Sequence, residues 1–132
     1  MTDRTRVASY GQNEDVLVDR VIGEDGIYIV TMNNPDTFNT MSVGLMQAIA
    51  QAFDAISERA EPDPNNDEVR AVVLRGEGRG FAIGLDIGKL DEYFAGGISG
   101  KTDPWRAIWD CPFPVIGEVN GPAVTGGFEI AL

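Results

Sequence analysis

Two glycines and one carboxylate stand together near the end of the sequence, after an apolar run at residues 115–119. Gly126 and Gly127 come first, and Glu129 follows within about one helical turn. Glycines where a strand passes into a helix let a substrate oxygen approach backbone N–H groups that have no partner within the helix. Such donors stabilise an oxyanion, and a nearby carboxylate can move a proton. The plainer interpretation is that Glu129 only complements the positive end of the helix.

A second glycine-rich turn, residues 76–80, follows the short apolar run at residues 71–74. It is not the dinucleotide-binding fingerprint, because Phe81 stands where the third glycine would be. Glycine lets the chain turn tightly here, so that residues 81–84 can present backbone amides, although a simple turn would use the same residues. If both glycine turns are aimed at one point, their N–H groups form the oxyanion hole that is needed when a carbonyl becomes an enolate.

Residues 95–102, AGGISGKT, fit a relaxed phosphate-loop pattern with alanine in place of the first glycine. A phosphate loop needs a buried strand before it and a helix directly after its Lys-Thr pair. The preceding residues, 89–94, are charged and helical in character, and Asp103-Pro104 separates Lys101 from the next helix. A flexible loop is therefore the preferred interpretation, and a nucleotide-binding loop is the alternative.

Composition narrows the chemistry further. The 132 residues carry a net charge of −11, contain no histidine and include one cysteine, Cys111. A negative chain is a poor partner for nucleic acid or an anionic membrane. Without histidine and with one cysteine, the chain holds no Ser-His-Asp triad, no Cys-His pair and no internal disulfide, and we expect no metal site. No apolar run reaches membrane-spanning length, and no signal peptide is recognised.

The elements that must position these residues follow from local patterns. We expect residues 1–15 to be flexible, and two strands at 16–22 and 27–32 to form a hairpin at Asp25-Gly26. Ser42 is a predicted N-cap for an amphipathic helix over residues 43–59, and residues 61–68 form a predicted loop. Buried strands are predicted at 71–74 and 115–119, with helices capped by Asp86 and Asp103 and another beginning at Gly126. Alternation of strands and helices indicates an α/β fold with mostly parallel strands.

The order of these features resembles the crotonase family, the enoyl-CoA hydratase/isomerase superfamily, from residue 27 to residue 132. The segments that carry the resemblance are Asn34-Pro35 with Asn39, residues 69–74, residues 80–86 (GFAIGLD), residues 114–121 (PVIGEVNG) and residues 126–129 (GGFE). The resemblance implies a spiral of ββα units, with residues 16–132 as the N-terminal portion of an acyl-CoA-binding domain. Members of the family continue for about a hundred residues more, so the chain resembles a fold truncated before its C-terminal helices.

The resemblance also implies roles for individual residues. The hole amides would belong to Ile83 and Gly126, and Glu129 would match the first of two catalytic glutamates. Residues 83–86 would line the thioester and adenine region through their backbone, and Phe38 would lie near the pantetheine. The substrate-binding set is Phe38, Ala82, Ile83, Gly84, Leu85, Asp86 and Gly126. Two departures from the family pattern stand out: Asn34 replaces a residue that is often basic, and Glu118 occupies a position usually held by a small apolar residue.

The resulting hypothesis is an enoyl-CoA hydratase that adds water to a 2-enoyl-CoA thioester. It would be cytoplasmic, would need no separate cofactor because coenzyme A belongs to the substrate, and would form a trimer or hexamer when complete. An enoyl-CoA isomerase or a CoA-thioester hydrolase on the same fold is the nearest alternative. Alternatives of other classes are a phosphate-loop nucleotide binder and a non-catalytic scaffold.

Overall fold

Among the residues that the structure describes, five strands lie side by side in chain order and form one mixed sheet. The computed structural model describes residues 3–60 and 68–132. The second strand is antiparallel to both the first and the third, whereas the third and fourth strands and the fourth and fifth strands pair in parallel. The strands are β1 Arg4–Tyr10, β2 Val16–Val21, β3 Ile27–Met32, β4 Ala71–Gly76 and β5 Val115–Glu118.

In the described part of the chain, four α-helices and several short helical turns connect and cover the strands. The helices are α1 Val43–Glu58, α2 Leu90–Glu92, α3 Pro104–Trp109 and α4 Gly126–Ala131. Turns of 3₁₀ helix occupy Pro35–Thr37, Ile87–Lys89 and Gly100–Thr102, and a π-helical turn spans Tyr93–Gly97. The predicted loop at 61–68 lies, up to residue 67, outside the described residues.

Helix α1 supplies one wall of the core, as its spacing predicts. The Ser42 hydroxyl accepts a hydrogen bond from the Leu45 N–H at 3.1 Å, which confirms the predicted N-cap. The buried face of α1 packs against inward side chains of the sheet, which removes a large apolar area from water. The core includes Leu45, Ile49, Phe53 and Ile56 of α1 with Val18, Tyr28, Val30, Val72 and Leu74 of the sheet.

The N-terminal segment is more ordered than its composition suggests. Within the predicted flexible region, residues 1–15, Arg4–Tyr10 form strand β1, which pairs antiparallel with β2. The Arg6 Nε atom lies 2.5 Å from an oxygen of Asp19, whose side chain is buried. A buried carboxylate needs a cationic partner, and β1 supplies it. The prediction of a flexible segment is therefore wrong for β1.

The predicted strand at 115–119 is present, but it is not buried. Ile116 of β5 is 56% exposed, and Glu118 lies in solvent. The reason is position, because β5 is the last strand of the sheet in the described part of the chain. Glu118 therefore needs no buried partner at this exposed edge.

The phosphate-loop alternative lacks its structural context. Residues 90–94 before the loop are helical, and Lys101 lies in the 3₁₀ turn that ends at Thr102. The loop, which we expected to be flexible, is tied to its surroundings by two backbone carbonyls. The Gln47 amide donates to the Gly97 carbonyl at 2.7 Å, and the Arg106 Nε donates to the Gly100 carbonyl at 2.7 Å. Arg106 also pairs with Asp54 of α1 through two hydrogen bonds of 3.1 and 2.9 Å.

Candidate active site

The glycine-rich turn after β4 is held in place by the side chain of Asn39. This side chain is fully buried, and its amide nitrogen lies 3.2, 3.0 and 3.1 Å from the carbonyl oxygens of Glu77, Gly80 and Phe81. Its oxygen accepts a hydrogen bond from the Asn34 N–H at 2.8 Å. The sequence pattern included Asn39 but gave it no role. The available signal was the residue type, because asparagine is favoured in turns and tolerates the left-handed backbone region, which Asn39 adopts here at φ 54°.

The segment from Phe81 to Asp86 runs through the centre of the predicted site. The Met41 N–H donates to the carbonyls of Ile83 and Gly84, both at 3.2 Å, and Met41 bridges to Leu85 in a parallel register. Asp86 caps the turn Ile87–Lys89 by accepting from the Gly88 N–H at 3.0 Å, as its position predicts. The segment is thus fixed by backbone contacts at residues 83–85 and by the side-chain cap at Asp86.

Tyr93 supports the same segment from the other side. Its hydroxyl donates to the Met41 carbonyl and accepts from the Asp86 N–H, the latter at 3.3 Å. Burial raises the pKa of the Tyr93 phenol above its ordinary value of 10.0, against a smaller opposing effect of the hydrogen bond from the Asp86 backbone. The phenol therefore stays protonated and available as a donor at neutral pH.

A second segment, residues 122–127, lies directly alongside the first. The Pro122 carbonyl accepts from the N–H groups of Phe81 and Ala82, at 3.1 and 3.3 Å, and the Val124 N–H donates to the Ala82 carbonyl at 3.1 Å. A Cβ atom built on Gly127 would lie 2.0 Å from the Ala82 carbonyl oxygen. Only glycine permits this approach, so the two predicted glycine turns do meet.

The two predicted hole amides differ in their present partners. The Gly126 N–H opens helix α4 and has no hydrogen-bond acceptor among the described residues. The Ile83 N–H donates to the Phe38 carbonyl at 3.3 Å. An oxyanion hole built from these two amides predicts that neither has an acceptor within the chain, and for Ile83 this prediction is wrong. Phe38 stands in the left-handed region at φ 53°, which sets the direction of its carbonyl in a way that no local pattern for phenylalanine predicts.

Phe38 lies at the surface beside the glycine turn. Its side chain is 36% exposed, and the Arg79 guanidinium lies 5.4 Å from its ring centroid. Gly80 packs against Phe38, since a Cβ on Gly80 would lie 3.0 Å from the Phe38 Cβ atom. The predicted substrate-binding residues Phe38, Ala82, Ile83, Gly84, Leu85, Asp86 and Gly126 therefore fall into one connected region.

Thr125, which precedes Gly126, has an unusual backbone conformation. Its φ and ψ angles are 49° and −117°, a combination rarely adopted by a β-branched residue. Residues held in such regions cost about 1–3 kcal/mol each and persist where their surroundings impose them. Sequence reasoning passed over Thr125.

Glu129 is exposed and lines a pocket of about 500 Å³ between α3, α4 and β5. Its other walls are mainly apolar, and they include Trp105, Ile108, Trp109, Phe113 and Leu132. Neither Ile83 nor Gly126 is part of this lining. The structure therefore brings the two amide-bearing turns together and places Glu129 at a neighbouring apolar pocket.

Residues 3–60 and 68–132 contain neither a candidate metal site nor a candidate membrane-spanning helix. No group of three or more acidic or cysteine side chains is arranged to hold a metal ion there. None of the helices in these ranges has the length and apolar character needed to cross a membrane.

Comparisons with known proteins agree with this architecture. The family model for enoyl-CoA hydratase/isomerase matches residues 23–132. The chain is 35% identical over 109 residues to a probable peroxisomal enoyl-CoA hydratase of Arabidopsis thaliana, with 81% of this chain and 38% of that protein covered. It is 37% identical over 112 residues to a hydrolase of Mycobacterium tuberculosis that acts on a methyl-dioxo-hexahydroindene-carboxyl-CoA, with 81% and 42% covered.

Solved structures give the same result. The crystal structure of an enoyl-CoA hydratase from Mycobacterium avium subsp. paratuberculosis matches with a TM-score of 0.66 and 35% identity, over 89% of this chain and 43% of that one. The chain thus spans about two-fifths of the length of the relatives it matches. The α/β fold with its paired glycine turns and the matches in sequence and structure together show that this chain belongs to the enoyl-CoA hydratase/isomerase, or crotonase, family.

Proposed function

We propose that this chain is the N-terminal part of an enoyl-CoA hydratase that adds water to a 2-enoyl-CoA thioester. The observation that carries the proposal is the contact between residues 81–84 and 122–127, the two segments that contain Ile83 and Gly126. Gly84 touches Thr125, and Gly127 touches the Ala82 carbonyl, so the two candidate donors belong to adjoining turns.

In this proposal the thioester oxygen accepts hydrogen bonds from the Ile83 and Gly126 N–H groups. Water loses a proton to a carboxylate as its oxygen bonds to C3, negative charge develops on the thioester oxygen as an enolate forms, and the enolate then takes a proton at C2. Both hydrogen bonds strengthen with that charge, so they stabilise the transition state more than the bound substrate. The Ile83 N–H must exchange the Phe38 carbonyl for the substrate oxygen. Its present bond of 3.3 Å lies beyond the usual range for N–H to oxygen, which favours that exchange.

Glu129 would activate the water, together with a second carboxylate that lies outside this chain. A carboxylate at an apolar-lined pocket suits this role, because the pocket can hold the acyl group beside the acid. Residues 83–86 would line the thioester and adenine region through their backbone, and the exposed ring of Phe38 would lie against the pantetheine.

A second candidate function is hydrolysis of a CoA thioester. A mycobacterial relative at 37% identity is named a hydrolase of a carboxyl-CoA compound, which favours hydrolytic chemistry on this fold without stating which bond is broken. The two reactions differ in their products. Hydration consumes the carbon–carbon double bond and leaves the thioester intact, whereas hydrolysis releases the free thiol of coenzyme A. Assays for loss of the enoyl absorbance and for free thiol, run on the same sample, distinguish them.

The test of the proposal is Glu129→Gln in the protein that carries this chain, assayed with 2-butenoyl-CoA. General acid–base catalysis contributes about 10²- to 10⁴-fold, so we expect kcat to fall by that factor with acyl-CoA affinity largely kept. Glu118→Gln is the matched control, because Glu118 is an exposed glutamate on the neighbouring strand β5 and should leave kcat unchanged. An unchanged kcat in Glu129→Gln would remove Glu129 from the mechanism.

The proposal has three further features. The enzyme would need no separate cofactor, because coenzyme A is part of the substrate. It would assemble as a trimer or hexamer, and it would act in the cytoplasm. Sedimentation of the complete protein and its distribution among cell fractions test the last two statements.

A further inference from the structure

The hydroxyl of Thr125 lies between the two backbone turns that carry the proposed hole amides. A Cβ atom built on Gly84 would lie 1.7 Å from the Thr125 Oγ1 atom, so the hydroxyl rests directly against the Gly84 backbone. Gly84 follows Ile83 in the chain, and Thr125 precedes Gly126. The hydroxyl is thus a polar side-chain group at the junction of the two turns.

This hydroxyl is not used by the protein itself. Thr125 is exposed, and its Oγ1 atom makes no hydrogen bond to any residue in the described part of the chain. It also gives no side-chain cap to helix α4, although it occupies the N-cap position. A threonine hydroxyl can donate one hydrogen bond and can rotate its proton toward an acceptor.

The backbone conformation of Thr125 argues against a role in stability. A residue at φ 49° and ψ −117° is better served by glycine, which carries no Cβ. Thr125 therefore carries a β-branched side chain with a hydroxyl at a position where glycine would give a more stable backbone. Residues with strained backbone angles are found most often at active sites and ligand-binding sites.

We propose that the Thr125 hydroxyl is a third hydrogen-bond donor to the thioester oxygen of the substrate, beside the two backbone amides. This inference rests on the proposed function, because it assumes that an acyl-CoA thioester binds at the junction of the two turns. It makes Thr125 a specificity-determining residue that favours ligands with a carbonyl at this position over ligands without one.

The experiment compares two ligands and four proteins by calorimetric titration of the protein that carries this chain. The ligands are butyryl-CoA and S-butyl-CoA, a thioether in which a methylene group replaces the carbonyl. The proteins are the wild type, Thr125→Val, Thr125→Ser and Thr125→Gly. Valine keeps the shape and β-branching of threonine without its hydroxyl, serine keeps the hydroxyl, and glycine lacks the hydroxyl but accepts the backbone conformation without strain.

We expect Thr125→Val and Thr125→Gly to bind butyryl-CoA about tenfold more weakly, which corresponds to about 1.4 kcal/mol. Their affinity for the thioether should stay within about twofold of the wild type, and Thr125→Ser should keep most of the preference for butyryl-CoA. Thr125→Gly preserves the test if the valine variant does not fold.

Two outcomes would overturn the inference, and they are distinguishable. If the wild type prefers butyryl-CoA and both hydroxyl-free variants keep that preference, the role of Thr125 is refuted while the proposed function stands. If the wild type binds neither ligand, or binds both equally, the proposed thioester site is refuted and the role of Thr125 is refuted with it.

Discussion

Replacing Asn39 by alanine should remove a large part of the stability of this fold, because one buried side chain joins two turns. Its two amide protons are shared among three carbonyl oxygens, at 3.0–3.2 Å, and its oxygen accepts one further hydrogen bond at 2.8 Å. These amount to three hydrogen bonds, each with a net contribution of about 1 kcal/mol. Alanine in the left-handed region, at φ 54°, costs roughly 1 kcal/mol more.

We therefore expect Asn39→Ala to lower the free energy of unfolding by about 4 kcal/mol, and Asn39→Gly by about 3 kcal/mol, because glycine accepts the backbone conformation. Urea unfolding followed by circular dichroism measures both. With a slope near 2 kcal/mol per molar urea, the alanine variant shifts the midpoint by about 2 M.

Asn33→Ala is the matched control for this experiment. The Asn33 side chain makes an exposed hydrogen bond to the Glu14 carbonyl at 3.1 Å, so its loss should cost under about 1 kcal/mol. If Asn39→Ala proves no more destabilising than Asn33→Ala, then the buried hydrogen bonds of Asn39 do not hold the glycine turn, and the reasoning is refuted.

Two further predictions concern the supports of the site. Gly127→Ala should lower the free energy of unfolding by about 1–3 kcal/mol or more, since its Cβ would lie 2.0 Å from the Ala82 carbonyl oxygen. Gly44→Ala is the control, because Gly44 lies in α1 with open space around it, and this change should raise stability by up to about 1 kcal/mol. Equal melting temperatures of the two variants would contradict the close approach of Gly127 to Ala82. Tyr93→Phe should be less stable than the wild type at neutral pH. Burial raises the pKa of Tyr93, so the contribution of its phenol to stability is complete below pH 10 and is lost as the pH rises through the folded-state pKa. The difference in free energy of unfolding between the wild type and Tyr93→Phe should therefore narrow above pH 10 in urea titrations at several pH values. A difference that stays constant with pH would contradict this.

Local signals in the sequence predicted the elements whose stability is local. Helix α1 was recognised because its cap, Ser42, and its apolar spacing lie within one segment. Strand β1 was missed because its ordering depends on Asp19, a partner on another strand that no local pattern reveals. The apolar run at β5 predicted a strand correctly but a buried position wrongly, since burial depends on what covers the strand.

The candidate site divides in the same way. The glycine turns and the cap at Asp86 were readable from residue types, because only glycine allows the close contacts and only a short polar side chain forms the cap. The engagement of the Ile83 N–H by Phe38 was not readable, since it joins residues 45 positions apart through a left-handed phenylalanine (83 − 38). The roles of Asn39 and Tyr93 also depend on such long-range contacts.

Hydrogen bonds at the Gly80 carbonyl link the local opening of three segments around the site. It accepts from the Asn39 side chain at 3.0 Å and lies 3.4 Å from the Asn120 side chain, which also donates to the Gly78 carbonyl at 2.8 Å. Three segments that are remote in the chain therefore meet on one short turn. Local opening of the glycine turn removes the hydrogen bonds of both Asn39 and Asn120. The turn before α1, the glycine turn and the segment around Asn120 between β5 and α4 thus form one cooperative unit. Their backbone amides should exchange with solvent together rather than one segment at a time.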